Sequence, residues 1–202
     1  AERRNVQLND LARAAADMLA YTFRSHGIEL QLELVPDLPE VSADADQIGQ
    51  VVLNLLVNAQ QALASCPPPR RVDVRVRRLN ADVLALEVTD NGPGVPPEHR
   101  ERIFEEFFST KPQATGMGFG LAFSRSVAEG HRGRLVLLDQ SGGATFQMTL
   151  PIDTGEVEDR GDVEPEAGTV VWPNGADLDP DVLYAEVTGV PVADRLNRPQ
   201  AS

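Results

Sequence analysis

Side-chain amides are concentrated in one apolar segment, DQIGQVVLNLLVNAQQAL, which spans residues 46 to 63. After its opening aspartate the segment contains no acidic and no basic residue. Because residues three and four apart share one face of a helix, the spacing predicts a helix with a broad apolar face and a narrow stripe of amides, formed by Gln47, Gln50, Asn54, Asn58 and Gln61. Amide oxygens can bind a hard cation such as magnesium. The stripe is therefore either a ligand-binding surface or a polar face that simply contacts solvent.

A short glycine turn, DNGPGVP at residues 90 to 96, follows a segment that alternates apolar and polar residues. Gly92 and Gly94 permit a tight turn and a close approach of the backbone to a ligand. Asp90, at the end of the alternating segment, can accept a hydrogen bond from the exocyclic amine of a base. The alternative interpretation is an ordinary turn, because most D-x-G-x-G sequences are only turns.

A second glycine-rich segment, TGMGFGLAFSRS at residues 115 to 126, leads into a helical pattern that begins near Leu121. Its glycines are Gly116, Gly118 and Gly120. A glycine-rich loop that runs into a helix N-terminus presents N–H groups and the positive end of the helix dipole to phosphate. Lys111 lies upstream and adds a positive charge. The sequence favours a phosphate-binding loop over a flexible joint.

An apolar cluster separates the two glycine segments. RIFEEFFSTK, residues 102 to 111, contains Ile103, Phe104, Phe107 and Phe108 within an otherwise polar region. The cluster is either a short helix packed into the core or a lid that docks a partner domain.

Predicted helices and strands must position these side chains. Alternating residues predict strands at 28–35, 72–79, 83–90, 134–138 and 144–150, with brief strands at 6–8 and 41–42. Helical spacing predicts a helix from an Asn9 N-cap to about Ser25 and another from Gly118 to about Glu129. This order predicts an α+β fold, a two-layer sandwich in which a mixed, mostly antiparallel sheet carries its helices on one face.

Charge is unevenly distributed along the 202 residues, whose net charge is −13. Residues 153–202 hold 12 acidic and 3 basic residues, whereas residues 1–152 hold 19 acidic and 15 basic residues. We therefore predict a main domain at 1–152, an acidic linker at 153–169 and a C-terminal tail at 170–202 that either docks on the main domain or stays mobile.

Three further features of the sequence limit which partners the protein can bind and in which compartment it is found. The charge distribution offers no basic footprint for nucleic acid. No apolar run approaches the roughly 18 residues of a membrane helix. The single cysteine, Cys66, fits a reducing compartment. We expect a cytoplasmic protein whose chain contacts neither nucleic acid nor membrane.

In this order and spacing, the four segments resemble the catalytic and ATP-binding domain of sensor histidine kinases, in the GHKL ATPase superfamily. QVVLNLLVNAQQAL is similar to the N box, DNGPG to the first glycine box, IFEEFFSTK to the F box and TGMGFGLAFSRSVAEGH to the second glycine box, while GGATFQMTLP resembles the closing strand. The NAQQAL and FFSTK forms are similar to the nitrogen-regulation and oxygen-sensing subgroup. The resemblance covers about residues 6 to 151. It implies the Bergerat-type ATP-binding sandwich, ATP and Mg²⁺ as ligands, and protein-histidine kinase activity.

At the phosphate end, the resemblance implies that Asn58 holds magnesium and that Asn54, one turn earlier, lines the phosphate site. Together with Lys111 these two asparagines are the catalytic candidates. The resemblance also implies that the loop and the start of the following helix cover the phosphates, through Gly116, Gly118, Gly120 and Leu121.

At the base end, the resemblance implies that Asp90 accepts a hydrogen bond from the adenine amine. Gly92 and Gly94 would shape this end of the site. Thr145 would support the adenine, often through water.

Two features depart from the family pattern. Arg132 occupies the position after His131 at which the family usually has a glycine. The family phosphorylates a histidine that is followed by an acid, but the three histidines here are followed by Gly27, Arg100 and Arg132. The resemblance therefore implies that the acceptor histidine lies on a separate dimerisation hairpin, which serves a response regulator, and that His99 and His131 are surface or lid residues.

Three functions remain in competition. The first is an ATP-binding domain that phosphorylates a histidine on another segment. The second is an anti-sigma-factor serine kinase, against which the intact IFEEFFSTK segment argues, because its phenylalanines suit docking to a histidine-bearing helix. The third is a nucleotide-sensing interaction module without transfer activity.

Overall fold

Three α-helices pack on one face of a β-sheet in the part of the chain that the computed structural model describes, residues 2–105, 108, 120–138 and 142–152. The strands are β1 (Arg4–Val6), β2 (Ile28–Leu34), β3 (Val41–Ala43), β4 (Arg70–Arg78), β5 (Val83–Asp90), β6 (Arg134–Leu138) and β7 (Ala144–Pro151). The helices are α1 (Leu8–Ser25), α2 (Ala45–Leu63) and α3 (Gly120–Gly130). Two short 3₁₀ turns, Pro97–His99 and Arg102–Phe104, follow β5.

The main sheet has five strands in the order β2-β4-β5-β7-β6. β2 pairs with β4 in parallel, and the other neighbours are antiparallel. This arrangement confirms the predicted α+β sandwich with a mixed, mostly antiparallel sheet. β1 and β3 form a separate two-stranded antiparallel sheet, a pairing that the sequence pattern did not predict.

The core lies between the sheet and the helices. Every second residue of the central strands points into it, including Val74, Leu86, Val88, Phe146 and Met148. The apolar face of α2 supplies the largest helical share, namely Ile48, Val51, Val52, Leu55, Leu56, Ala59 and Leu63. This leaves the amide stripe of α2 at the margin of the core.

The two long helices begin differently. Asp44 caps α2, because its carboxylate accepts hydrogen bonds from the N–H groups of Asp46 and Gln47, both at 3.0 Å. The prediction that Asn9 caps α1 is wrong: the helix begins at Leu8, after Gln7, which makes no side-chain cap. The Asn9 amide instead donates to the Val35 carbonyl oxygen at 2.8 Å, so a tertiary contact outweighs the capping preference.

The end of α3 places a non-glycine residue in the left-handed region. The N–H of Arg132 donates to the Glu129 carbonyl, and the N–H of Gly133 donates to the Ala128 carbonyl, both at 2.9 Å. This pattern ends a helix with one left-handed residue, usually glycine. The φ of Arg132 is 60°, which is the physical reason that a glycine suits this position.

Residues Ala1–Thr154 form one compact unit. Residues 153–202 lie outside the described part of the chain, so the predicted linker and tail stay predictions. Among the described residues, no helix combines the length and apolar character needed to cross a membrane.

Candidate functional site

Asn54, in the amide stripe of α2, contacts the start of α3, the helix that follows the second glycine-rich segment. Its side-chain NH₂ lies 3.4 Å from the Gly120 carbonyl oxygen and 3.3 Å from the Ser124 hydroxyl. Its Oδ1 accepts a hydrogen bond from the Gln50 amide at 2.9 Å. Ser124, which is fully buried, also donates to the Gly120 carbonyl at 2.7 Å. Two of the predicted segments therefore meet at Asn54.

Asn58 lies one turn further along α2 and is half-buried. Its Nδ2 is buried without a hydrogen-bond partner among the described residues. A buried amide hydrogen without a partner costs about 1–3 kcal/mol, so this side chain suits a polar ligand. An anionic oxygen can accept from Nδ2, and the amide oxygen can bind a hard cation. The residues present therefore fit a magnesium-bound phosphate.

Asp90 ends β5 with a buried carboxylate, only 4% exposed. Its Oδ1 accepts a hydrogen bond from the Gly92 N–H at 2.8 Å. Burial raises the pKa of this carboxyl above its ordinary value, while the backbone N–H groups of Gly92 and Ala144 act in the opposite direction. A buried carboxylate with free acceptor capacity is suited to an amine donor.

Gly92 must be a glycine because it lies between this carboxylate and the end of α2. A Cβ there would lie 2.8 Å from Asp90 Oδ1, 3.5 Å from a Leu63 methyl group and 3.6 Å from the Ala62 Cβ. Any larger side chain would displace the carboxylate or fill the space above the helix.

Gly143, the residue before β7, supports the same end of the site. A Cβ on Gly143 would lie 1.8 Å from the Asp90 carbonyl oxygen, and a Cβ on Gly94 would lie 2.8 Å from the Gly143 carbonyl oxygen. The backbones of Asp90, Gly94 and Gly143 therefore approach so closely that positions 94 and 143 require glycine. The sequence analysis did not predict the contact of Gly143 with Asp90, because that contact is long-range.

The site runs along one side of α2. Asn54, Asn58 and Ala62 are spaced four residues apart, which separates the first from the last by about 12 Å along the helix axis. Asn54 contacts the start of α3, and Ala62 lies beside the Gly92 turn. The length of the site, the amides at one end and the carboxylate acceptor at the other suit a nucleoside triphosphate that lies along the helix.

Thr145 does not share the face that carries Asp90. Its hydroxyl lies 2.9 Å from the Thr89 hydroxyl, and the two residues are paired across β5 and β7. Side chains alternate faces along a strand, so the partner of Asp90 on its own face is Ala144. The expectation that the Thr145 side chain supports the adenine is corrected by this alternation.

The remaining candidates are placed only in part. Gly120 and Leu121 form the first turn of α3. Lys111, Gly116 and Gly118 lie outside the described residues, so their roles stay predictions.

The apolar cluster packs on the core at its first end. Ile103 and Phe104 are half-buried against the core. The Phe104 ring meets Phe146 of β7 edge-on, with centroids 6.3 Å apart, and the Arg125 guanidinium lies 5.4 Å from the Phe104 centroid. Phe107 lies outside the described residues.

His131 is not a surface residue, which contradicts the sequence expectation. It is 5% exposed. Its Nε2 accepts from the Asp44 N–H at 3.0 Å, and its Nδ1 lies 2.8 Å from the Val127 carbonyl oxygen. Asp44 is 87 residues away in the sequence, so no local pattern signals the burial of His131.

Comparisons with known proteins agree with this geometry. Residues 43–154, more than half of the chain, match the family of histidine kinase-, DNA gyrase B-, and HSP90-like ATPases. Sensor protein FixL from Bradyrhizobium diazoefficiens is 38% identical over 153 residues, which cover 74% of this chain and 29% of FixL. The nucleotide-free catalytic domain of the histidine kinase ThkA has a TM-score of 0.67 and 27% identity, covering 75% of this chain and 99% of that domain. Full-length ShkA in complex with AMPPNP has a TM-score of 0.64 and 28% identity, covering 74% of this chain and 31% of ShkA.

The chain therefore belongs to the histidine kinase-, DNA gyrase B-, and HSP90-like ATPase family, and it is similar to the catalytic domains of sensor histidine kinases within that family. This confirms the family resemblance of the four segments. The chain spans less than a third of the length of FixL.

Proposed function

We propose that this chain is the ATP-binding catalytic domain of a two-component sensor histidine kinase. It binds ATP with Mg²⁺ and donates the γ-phosphoryl group to a histidine on a separate dimerisation module. The observation that carries the proposal is the arrangement along α2, where Asn54 contacts the first residue of α3 and Ala62 lies beside the Asp90–Gly92 turn. The AMPPNP complex of the similar protein ShkA supports ATP as the ligand.

Asp90 selects the base. Adenine presents an amine to the carboxylate, whereas guanine presents an acceptor oxygen at the same place. A buried acceptor that faces another acceptor leaves both unpaired, and such mismatches discriminate strongly. The small turn at Gly92 leaves room for the flat ring beside α2.

Asn54 and Asn58 serve the phosphate end. The Oδ1 of Asn58 would hold Mg²⁺, and its unpaired Nδ2 would donate to a phosphate oxygen or to a water bound to the ion. When bound, the ion neutralises charge on the terminal phosphates. Since both side chains are uncharged amides, they add no negative charge beside a triphosphate. Lys111 would add a positive charge from the segment before α3.

The transfer itself needs positioning more than covalent chemistry. The bond between the γ-phosphorus and its bridging oxygen breaks, a bond forms to the acceptor histidine nitrogen, and ADP leaves. The acid beside the acceptor histidine would act as the base: it would take the proton from the other ring nitrogen, which leaves the attacking nitrogen its lone pair. Neither group is in this chain, because no histidine here precedes an acid. A response regulator would receive the phosphoryl group next. We propose the cytoplasm as the compartment, because ATP is plentiful there.

A phosphorylation assay with γ-labelled ATP tests the proposal. The chain is incubated alone, and then with a separately expressed histidine hairpin. We expect no label on the chain alone, and label on the hairpin that disappears with Asn58→Ala.

Two outcomes would contradict the proposal. Label on the chain alone that His26→Ala removes would show an internal acceptor; His26 is the C-cap of α1 and its Nδ1 lies 2.7 Å from the Thr22 carbonyl oxygen. Nucleotide binding without any label on the hairpin would favour the nucleotide-sensing module instead.

A further inference from the structure

Helix α3 is fixed to α2 at both of its ends. At the nucleotide end, the Asn54 amide contacts Gly120 and Ser124. At the opposite end, His131 accepts a hydrogen bond from the backbone N–H of Asp44. The eleven residues of α3 span about 16 Å, so the two contacts hold the helix near each end against the same neighbour.

The hydrogen bonds of His131 define the tautomer of its ring. Nδ1 faces the Val127 carbonyl oxygen, which only accepts, so Nδ1 carries the proton. Nε2 faces the N–H of Asp44, which only donates, so Nε2 keeps its lone pair. Only the neutral imidazole with a proton on Nδ1 satisfies both neighbours.

The partner of His131 is Asp44, the N-cap residue of α2. The Asp44 side chain caps the N–H groups of Asp46 and Gln47, and its carbonyl accepts from the Ile48 N–H at 3.0 Å. His131 therefore joins the C-terminal end of α3 to the N-cap of the helix that carries Asn54 and Asn58. A shift of α3 at this end would change how its first turn meets Asn54.

We propose that His131 is a positioning residue for the nucleotide site. By anchoring α3 to the N-cap of α2, its Nε2 holds the first turn of α3 where Asn54 meets Gly120. This inference rests on the proposed function, because it treats that contact as part of an ATP site. A residue that only fills the core would need the ring volume of His131 but not its acceptor.

Two substitutions separate the acceptor from the ring. Glutamine places its Oε1 near the position of Nε2 and can still accept from Asp44. Asparagine places its NH₂ near the position of Nδ1 and can still donate to Val127, but it does not reach Asp44. Both remove the ring, so both lose similar packing.

The test measures each variant in two ways. Calorimetric titration with ADP and Mg²⁺ gives the affinity, and amide hydrogen exchange in the nucleotide-free protein gives the protection of Ser124 and Arg125 at the start of α3. We expect His131→Asn to weaken ADP binding about 3- to 10-fold and to speed exchange at these amides by a similar factor. We expect His131→Gln to stay within about twofold of the wild type in both.

Equal behaviour of the two variants, whether both unchanged or both impaired, would overturn the proposal. Because the exchange measurement needs no nucleotide, it also separates the two claims. A wild-type protein that binds no ADP would refute the proposed function, whereas exchange at Ser124 and Arg125 would still decide whether the Nε2 anchor positions α3.

Discussion

Asp90 is held where an ionised carboxylate is costly. It is nearly fully buried, and burial raises its pKa above the ordinary 3.8. The backbone N–H groups of Gly92 and Ala144 offset part of this cost. A buried carboxylate with a raised pKa beside a glycine turn is typical of a binding site. A hydrogen bond from a ligand amine would offset the cost of burying the charge.

Asp90→Asn is expected to weaken ATP binding and to abolish the preference for ATP over GTP. Asparagine can keep the bond from the Gly92 N–H, but it loses a charged acceptor worth about 1.5–3 kcal/mol. The expected loss of ATP affinity is therefore about 10- to 100-fold, measured by calorimetry with both nucleotides. Equal affinities of the wild type for ATP and GTP would refute the role of Asp90 in base selection.

The same substitution is expected to change the pH dependence of stability. Because the folded pKa of Asp90 is raised, its favourable contribution is fully present below the unfolded pKa of 3.8 and is lost as the pH rises through the folded value. Asp90→Asn removes that loss, so the variant should gain stability relative to the wild type as the pH rises from 3.8 through the raised pKa of the folded protein. Urea unfolding across this range measures the difference, and a difference that shrinks with rising pH would contradict the burial argument.

Arg132→Gly is expected to stabilise the protein. A left-handed non-glycine residue costs about 1–2 kcal/mol, and glycine removes this strain. Glycine also makes the unfolded chain more flexible, which lowers the stability of the folded protein by about 0.5–1 kcal/mol. The net gain should be about 0.5–1 kcal/mol in urea unfolding. Arg132→Ala is the control, since it removes the guanidinium but keeps the Cβ; an equal gain from alanine would show that the backbone is not strained.

At the scale of elements, the glycine turns are shaped by backbone contacts between distant strands. Gly142 and Gly143 both have positive φ, 85° and 103°. A Cβ on Gly142 meets open space, whereas a Cβ on Gly143 collides with the Asp90 carbonyl oxygen. Position 143 therefore couples the β6–β7 hairpin to the base end of the site.

Gly143→Ala and Gly142→Ala form a matched pair. Gly142→Ala should cost about 1 kcal/mol, because only the backbone conformation is strained. Gly143→Ala should cost more than about 3 kcal/mol, or displace the Asp90 turn and weaken ATP binding, because a backbone atom must move. Unfolding and calorimetry of both variants provide the measurement, and equal effects would show that the contact with Asp90 is unimportant.

Elements with strong periodicity were predictable from the sequence. β5 and β6 begin and end where the alternation predicted, and α2 differs by one residue at its start. The pairing of β1 with β3 was not predictable, because strands of three residues carry little pattern and their pairing is decided by distant packing. The capping of α1 was mispredicted for a related reason, since Asn9 bonds to Val35 across the fold.

At the scale of the site, residue types were predictable but some orientations were not. The amide stripe singled out Asn54 and Asn58, whose roles stay predictions, because a charge-free polar stripe on a buried helix is unusual. Thr145 was misplaced because the family resemblance outweighed the two-residue alternation that ties it to Thr89. His131 was misplaced because its partner, Asp44, is 87 residues away.

At the scale of the whole molecule, charge is unevenly distributed along the chain. The described domain combines a nearly balanced surface with one buried acid at the site, while residues 153–202 carry most of the net charge. The amide side chains of α2 carry no charge. They therefore suit a highly charged ligand, because they can bind the ion and the phosphate oxygens without repelling either.

The central claim is that a magnesium nucleotide binds along α2, with Asn58 at the metal. Calorimetric titration of ATP in excess Mg²⁺ tests it most directly, on the wild type, Asn58→Ala and the control Gln31→Ala, an exposed amide on β2. The account predicts that Asn58→Ala binds at least about tenfold more weakly at unchanged unfolding midpoint, while Gln31→Ala matches the wild type. A folded Asn58→Ala protein with wild-type affinity for Mg-ATP would contradict the account.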